Sequence, residues 1–297
     1  MNPALVLRTA PWTARNRQRP EVVILGVPER KRVQEVLQKL RPAIEAHADI
    51  VAIDLEFSYD FTDKQHDLVI VLGGDGSILQ AARQMAENQT PVLGVNCGRL
   101  GFLAALSPEE FLQVWPGIGE GQFRCVNHLM LRASLLRGDQ PVASQLGLNE
   151  AAILGGPPYQ IMNVAMYVDE ALATTYRCDG LIISTPVGST SHSMSAGGPI
   201  LHKDLDAFVV CPISPHTLTF RPVVDSGDRV FELRVEAPNP STSIVVDGRV
   251  LGTIEPGDRV LVRRASQAFQ MLQVPGKNGY RTLREKLGWG GNALPSV

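Results

Sequence analysis

Hydrophobic positions in the first part of the chain alternate between two patterns. Short, almost wholly apolar runs occupy residues 21–27, 49–55, 67–72 and 91–95, and the stretches 29–47 and 77–87 between them are predicted as helices. Runs that are apolar on both faces are typical of parallel strands covered by helices. The alternation of strand and helix therefore predicts an α/β domain over residues 21–116.

Beyond residue 117 the pattern changes to successive strands with few helical segments. Strands are predicted at 129–136, 146–154, 160–168, 181–185, 207–211, 230–235, 244–247 and 259–264, with glycine and proline between them. We therefore expect a β-rich domain over residues 117–266. Residues 267–297 are expected to return to the first domain with a short helix near 281–289.

Residues 1–20 carry four arginines and no acidic residue, but they lack the apolar core of a secretory signal. We interpret them as a mobile leader, with a transit peptide as the alternative.

The composition narrows the function classes. A chain of 297 residues with 44% hydrophobic residues is long enough for two buried cores. A net charge of −2, from 28 basic and 30 acidic residues, argues against non-specific nucleic-acid binding. The four cysteines form no CxxC pair and are expected to be reduced thiols. No apolar stretch approaches the ~20 residues that a membrane span needs, so we expect a cytoplasmic protein without membrane partners.

The strongest candidate site is Gly73-Gly74-Asp75-Gly76-Ser77, between the third predicted strand and a predicted helix. Ligands of open α/β sheets bind beyond the carboxyl ends of the strands. Glycine lets the backbone approach a ligand or adopt a positive φ, and amides at a helix start favour anions. The segment predicts a phosphate cradle in which Asp75 is a general base toward a hydroxyl group. A helix cap beside a glycine turn is the alternative.

A second candidate segment, residues 178–199, is rich in small and hydroxyl residues and contains a short apolar strand. Gly188 to Ser195 are expected to open a helix whose donors face ribose or phosphate oxygens. A solvated Ser/Thr-rich loop is the alternative, but Gly197-Gly198-Pro199 indicates a constrained backbone.

Two shorter features are less specific. The Asn149 amide both donates and accepts hydrogen bonds, which suits a nucleobase edge or a carboxamide, while a turn or strand end is the alternative for Asn149-Glu150. Asp247-Gly248 predicts a tight turn between strands, and the following Arg249 would either meet a phosphate or lie in solvent.

Neither GxxxxGK[ST] nor GxGxxG after a strand occurs in the sequence, which argues against a P-loop enzyme and a Rossmann dehydrogenase.

Taken together, several blocks resemble the NAD kinase family. They are GGDGS at 73–77, GVNCGRLGFL at 94–103, NE at 149–150, YRCDGLIISTPVGSTSHSMSAGGPI at 176–200 and PISPHTLTFRPVV at 212–224. GGDG alone is not specific, because it also occurs in lipid kinases and phosphofructokinases. The resemblance therefore rests on the joint occurrence of all the blocks in this order. It implies an α/β nucleotide-binding domain, a β-rich domain, and an active site formed between them.

The resemblance also implies an activity and its participants. The family phosphorylates the adenosine 2′-hydroxyl of NAD to give NADP, using ATP with Mg²⁺, and some members use polyphosphate. Its members usually work as homodimers or homotetramers. The alternatives are a kinase for a lipid or sugar hydroxyl, and a regulatory protein that binds NAD(P) without turnover.

The implied site residues fall into two groups. Asp75 matches the catalytic proton acceptor. The residues that match nucleotide-binding positions are Gly73, Gly74, Gly76, Asn149, Glu150, Arg177, Asp179, Thr190, Ser191, His192, Ser193, Met194 and Ser195. Arg177 and Asp179 match a pair that approaches NAD from a neighbouring subunit or from the β-rich domain. His192 replaces the tyrosine common in the family; it would stack on a base or form a hydrogen bond within its helix.

Overall fold

The computed structural model describes residues 9–11, 14, 19–27, 31–62, 64–98, 101–104, 106–120, 123–273 and 279–288. The chain divides into two compact units. The first contains residues 1–127 together with 269–297, and the second contains residues 128–268. The boundaries expected from the sequence, near residues 116 and 266, stay a prediction.

The helices and strands follow in chain order. They are β1 (Thr9–Pro11), β2 (Glu21–Gly26), α1 (Lys31–His47), β3 (Asp49–Asp54), β4 (Leu68–Gly73), α2 (Asp75–Met85), β5 (Val92–Asn96), α3 (Pro108–Val114), β6 (Arg124–Arg137), β7 (Gln140–Gly147), β8 (Glu150–Leu154), β9 (Met162–Val168), β10 (Ala171–Cys178), β11 (Gly180–Ser184), α4 (His192–Ser195), β12 (Ala207–Ile213), β13 (Val223–Ser226), β14 (Phe231–Val235), β15 (Ser243–Val246), β16 (Arg249–Thr253), β17 (Arg259–Gln273) and α5 (Gly279–Leu287).

The first unit is built on a parallel sheet in the order β3-β2-β4-β5. Every residue of β4 is buried, as expected for a central strand between helical layers. The apolar face of α1 packs on this sheet through Val33, Leu40 and Ile44. The α/β class predicted for this part of the chain is confirmed.

Helix α3 was missed by the sequence analysis although its start signal is strong. The Ser107 hydroxyl accepts a hydrogen bond from the Glu110 amide, and the Glu110 side chain accepts one from the Ser107 amide. Together with Pro108 in the first turn, this is a capping box. Helix α2 begins at Asp75, two residues earlier than predicted.

The second unit is made of antiparallel strands. One set has the order β13-β12-β11-β8-β15-β16, and another joins β10, β9, β14 and β17. Their inward side chains form one buried cluster that includes Ile153, Phe208 and Phe231. The β-rich class predicted for this part is confirmed.

Several predicted strand limits need correction. The segment 146–154 is not one strand, because β7 ends at Gly147 and β8 begins at Glu150. Strands β10, β13 and β16 were missed, and β17 continues to Gln273 instead of ending near 264.

In the stretch predicted as a mobile leader, β1 pairs with residues 124–126 of β6. Most of the remaining leader lies outside the described residues, so its role stays a prediction. No helix in the described ranges is long and apolar enough to span a membrane.

The four cysteines are free thiols. Cys97, Cys178 and Cys211 are buried, and Cys125 is partly buried. Burial raises the pKa of both Cys125 and Cys178 to about 11.

Candidate active site

Asp75 stands at the carboxyl end of the buried strand β4, where the chain turns directly into α2. Gly73 closes this turn, since a Cβ there would overlap the hydroxyl of the buried Ser77. The strand end and the helix start thus place Asp75 at the position where open α/β sheets bind their ligands.

The Asp75 carboxylate does not cap α2; the N-cap is Gly74, without a side-chain bond. Instead, Oδ2 accepts a hydrogen bond from the amide of Phe102 at 2.7 Å. Oδ1 accepts one from Leu103 at 2.8 Å and one from Ala104 at 3.2 Å. Three successive amides therefore fix the carboxylate, and the cap alternative is wrong.

Gly101 lets this loop close on Asp75. A Cβ at residue 101 would overlap Asp75 Oδ1, so any side chain there would push the loop and the carboxylate apart. The block GVNCGRLGFL contributed to the family resemblance, but the sequence did not show that its backbone holds Asp75.

Gly74 and Gly76 have free space beside them. A Cβ at either residue would meet no atom of the described residues within 4 Å, and neither glycine has a positive φ. These glycines are therefore not needed for backbone conformation. Their missing side chains leave room for a ligand to approach the chain.

Asn149 lies in the break between β7 and β8, Glu150 is the first residue of β8, and both are buried. The Asn149 carbonyl accepts a hydrogen bond from the Thr185 amide at 2.8 Å. Gly188 packs so closely on Asn149 that a Cβ at residue 188 would overlap its carbonyl oxygen. This contact joins the Asn149-Glu150 pair to the start of the hydroxyl-rich segment.

The Glu150 carboxyl group is electrostatically unusual. Within the described part of the chain, its buried Oε2 atom has no hydrogen-bond partner. Burial first, and then the nearby charge of Asp247, raise its pKa to about 8, against the lowering effect of a hydrogen bond with Ser191. Glu150 is therefore mostly protonated at neutral pH, and its carboxyl group can donate a hydrogen bond.

The hydroxyl-rich segment forms a 3₁₀ turn over Gly188–Thr190, followed by the short helix α4. Ser189 and Ser193 are fully buried, which rules out the alternative of a solvated loop. The Ser189 hydroxyl donates to the Pro186 carbonyl at 2.6 Å and accepts from the Leu201 amide at 2.9 Å. The other predicted site residues of this segment, Thr190, Ser191, His192 and Met194, are partly exposed, and Ser195 is exposed.

Arg177 and Asp179 are solvent-exposed, while Tyr176 and Cys178 point into the core. Asp179 Oδ1 lies 3.7 Å from His216 Nε2, and the His216 amide donates to the Arg177 carbonyl at 2.8 Å. The structure thus groups this pair with His216, apart from the contacts that join Asn149 to Gly188.

Two family models match the chain. The model for the ATP-NAD kinase N-terminal domain matches residues 23–123, and that for the ATP-NAD kinase C-terminal domain matches residues 148–274. The chain belongs to the NAD kinase family. Its activity is that of a phosphotransferase that forms NADP from NAD. The alternative of a lipid or sugar kinase is thereby removed.

Curated NAD kinases are similar along most of their length. The NAD kinase of Rhodopirellula baltica is 62% identical over 272 residues, which is 92% of this chain and 88% of that protein. The NAD kinase of Geotalea daltonii is 38% identical over 252 residues, covering 84% of this chain and 89% of that protein.

Solved structures of NAD kinases show the same fold. Yeast NADH kinase complexed with NADH has a TM-score of 0.84 at 21% identity and covers 95% of this chain and 91% of that chain. The Archaeoglobus fulgidus NAD kinase in complex with ATP has a TM-score of 0.70 at 24% identity, with coverages of 90% and 97%.

Asp247 was interpreted from the sequence as a turn residue, and its contacts with the backbone of residues 148–150 were not predicted. The predicted turn at Asp247-Gly248 is present, but it is not merely solvated, since the carboxylate accepts hydrogen bonds from the backbone around Asn149. An aspartate before a glycine indicates a turn, but it does not identify a hydrogen-bond partner about a hundred residues away.

No group of three or more His, Cys, Asp and Glu side chains within the described ranges is arranged to hold a metal ion.

Proposed function

We propose that this NAD kinase uses Asp75 to accept the proton of the adenosine 2′-hydroxyl of NAD while that oxygen attacks the γ-phosphorus of ATP. The new bond joins the 2′-oxygen to phosphorus, the bond to the β-γ bridging oxygen breaks, and ADP leaves. The observation that carries this proposal is the fixed Asp75 carboxylate at the end of β4, beside two glycines with open space.

The proton goes to Oδ2 of Asp75 in this proposal. A carboxylate oxygen has two lone pairs. Among the described residues, Oδ1 accepts hydrogen bonds from the amides of Leu103 and Ala104, whereas Oδ2 accepts one, from the amide of Phe102. One lone pair of Oδ2 is therefore left to accept the proton of the hydroxyl group in this proposal.

Gly73, Gly74 and Gly76 are proposed to lie along the phosphates, where amides at the start of α2 favour negative charge. A divalent ion, proposed to be Mg²⁺, enters with the triphosphate and neutralises the charge of the transferred group. Because Asp75 already accepts three hydrogen bonds, phosphate oxygens and water fit this ion better than a set of protein ligands.

The second unit is proposed to bind the nucleosides of NAD. Asn149 and the protonated Glu150 offer amide and carboxyl groups to polar edges, and residues 190–195 line the nucleoside. The half-exposed His192 ring takes the place of the common tyrosine and stacks on a base. Arg177 and Asp179 remain exposed for a contact made across a homodimer or homotetramer, and the cytoplasm remains the expected location.

A coupled assay with ATP, Mg²⁺ and NAD tests the role of Asp75. We expect the wild type to form NADP and Asp75→Asn to lower kcat by about 10²–10⁴-fold, which is the usual contribution of a general base. Asp60→Asn is the matched control, since Asp60 is exposed and its carboxylate accepts a hydrogen bond from the nearby Thr62 amide in its own loop.

Undiminished turnover by Asp75→Asn would remove Asp75 from the reaction. NAD binding by the wild type without any NADP formation would instead favour the regulatory protein that only binds NAD(P).

A further inference from the structure

Asp247 is the first residue of the two-residue turn between β15 and β16, in which Val246 pairs with Arg249. Asp247 has φ of 47° and Gly248 has φ of 76°. Positive values at both positions are those of a type I′ turn, for which Asp-Gly and Asn-Gly are favoured. The turn accounts for the backbone of Asp247 but not for the direction of its carboxylate.

The Asp247 carboxylate accepts three hydrogen bonds from the successive amides of residues 148–150, where β7 has ended and β8 begins. Oδ2 accepts from Leu148 at 2.7 Å, and Oδ1 accepts from Asn149 at 2.8 Å and from Glu150 at 3.0 Å. The Asp247 amide in turn donates to the Glu150 carbonyl at 3.0 Å. One residue thus makes four bonds to a three-residue segment.

The remaining carbonyls of this segment are also bonded. The Thr185 hydroxyl donates to the Leu148 carbonyl at 2.6 Å, and the Thr185 amide donates to the Asn149 carbonyl at 2.8 Å. Every backbone amide and carbonyl from 148 to 150 therefore has a partner outside the segment. With all three peptide planes fixed, the directions of the Cα–Cβ bonds of Asn149 and Glu150 are fixed as well.

We propose that Asp247 is a positioning residue for NAD binding, which holds the backbone of residues 148–150 so that Asn149 and Glu150 meet the substrate. This inference rests on the proposed role of Asn149 and Glu150 in binding NAD. Asp247 acts through these two residues and takes no part in the proton transfer assigned to Asp75.

Asp247→Asn tests this role without disturbing the turn, because Asn-Gly suits a type I′ turn at least as well. The variant keeps an oxygen for the amides of Asn149 and Glu150 but sets an NH₂ group against the Leu148 amide. We expect the KM for NAD to rise about tenfold, with kcat changed by less than about threefold. Asp247→Ala, which loses all three carboxylate bonds, should raise the KM further.

Asp169→Asn is the matched control. Asp169 and Glu170 have φ of 48° and 70° and form the corresponding two-residue turn between β9 and β10. Its carboxylate accepts hydrogen bonds from the Val230 amide and the Arg229 guanidinium group. The KM for NAD should be unchanged in this variant, and the KM for ATP should be unchanged in both asparagine variants.

An unchanged KM for NAD in Asp247→Asn and Asp247→Ala, with a raised KM in Asn149→Ala, would overturn the positioning role and leave the proposed NAD site standing. A collapse of kcat at unchanged KM would also overturn it, since Asp247 would then act in the chemical step. If Asn149→Ala itself left the KM unchanged, both the positioning role and the proposed NAD contact of Asn149 would fail.

Discussion

Glu150 carries its proton near neutral pH for two reasons. Folding removes its carboxyl group from water, and it places this group near the negatively charged Asp247. Its pKa is raised from 4.5 to about 8. Between these two values the native state holds a proton that the unfolded chain has lost, so the free energy of unfolding decreases as pH rises through this window. The loss by pH 8 is on the order of a few kcal/mol.

Glu150→Gln should remove this pH dependence and be more stable than the wild type at pH 8. Urea unfolding of both proteins at pH 5, 6.5 and 8 measures the free energy of unfolding. Only the difference in this free energy between the two proteins is assigned to Glu150. That difference cancels buried groups such as His128, whose pKa burial lowers to about 4. Glu236→Gln, at an exposed position, is the control; parallel curves for wild type and Glu150→Gln would contradict the raised pKa.

At the scale of elements, the loop of residues 101–104 and the turn at Asp75 hold each other. The amides of Phe102, Leu103 and Ala104 need the Asp75 carboxylate, and Gly101 leaves the space for it. A displacement of about 1 Å in a reacting group can lower the rate by about 100-fold. The role proposed for Asp75 therefore predicts that this loop also affects turnover.

Gly101→Ala should therefore lower kcat by roughly 100-fold, while the enzyme stays folded. Gly98→Ala is the matched control, since among the described residues a Cβ at residue 98 would meet only the Asn96 side chain, at 4.0 Å. Steady-state kinetics of the two variants, with circular dichroism to confirm folding, decides the question. Equal kcat values for the two would show that the loop does not control Asp75.

Elements were predictable from sequence where local patterns decide them. The apolar runs of β2 and β4 and the helical spacing of α1 indicated these elements, and the serine and glutamate of α3 were a usable signal that was missed. The break between β7 and β8 was not predictable, since the bonds that stabilise it come from Asp247, about a hundred residues away.

For the whole molecule, the two hydrophobic patterns of the sequence were enough to predict an α/β and a β-rich domain. The order of the sequence blocks was enough to predict the family. What they did not contain is the set of contacts around each candidate residue. The backbone amides of Phe102–Ala104 and the carboxylate of Asp247 form hydrogen bonds that the residue types alone do not predict. The contacts that support the candidate site were therefore visible only in the structure.

Ligand binding to the whole molecule should appear as stabilisation. NAD at 100 times its Kd should raise the free energy of unfolding by about 2.7 kcal/mol, because it binds only the folded state. Thermal unfolding of wild type, Asp75→Asn and Asn149→Ala measures this, with adenine-free nicotinamide mononucleotide as the reference ligand.

We expect the NAD-induced shift of Tm to be retained in Asp75→Asn, which loses the base, and reduced in Asn149→Ala, which loses a binding contact. The reverse order would assign the binding energy to Asp75 and contradict the division of roles proposed above.

The buried thiols of this enzyme can report on the opening of its structure. Cys97, Cys178 and Cys211 are buried, and the raised pKa values of Cys125 and Cys178 keep these two thiols protonated at neutral pH. Since the thiolate is the reactive form, an alkylating reagent reaches these cysteines mainly when the surrounding structure opens. Of the three buried cysteines, Cys97 lies in the first unit and Cys178 and Cys211 lie in the second, so the labelling rate of each follows the opening of its own unit without any introduced probe.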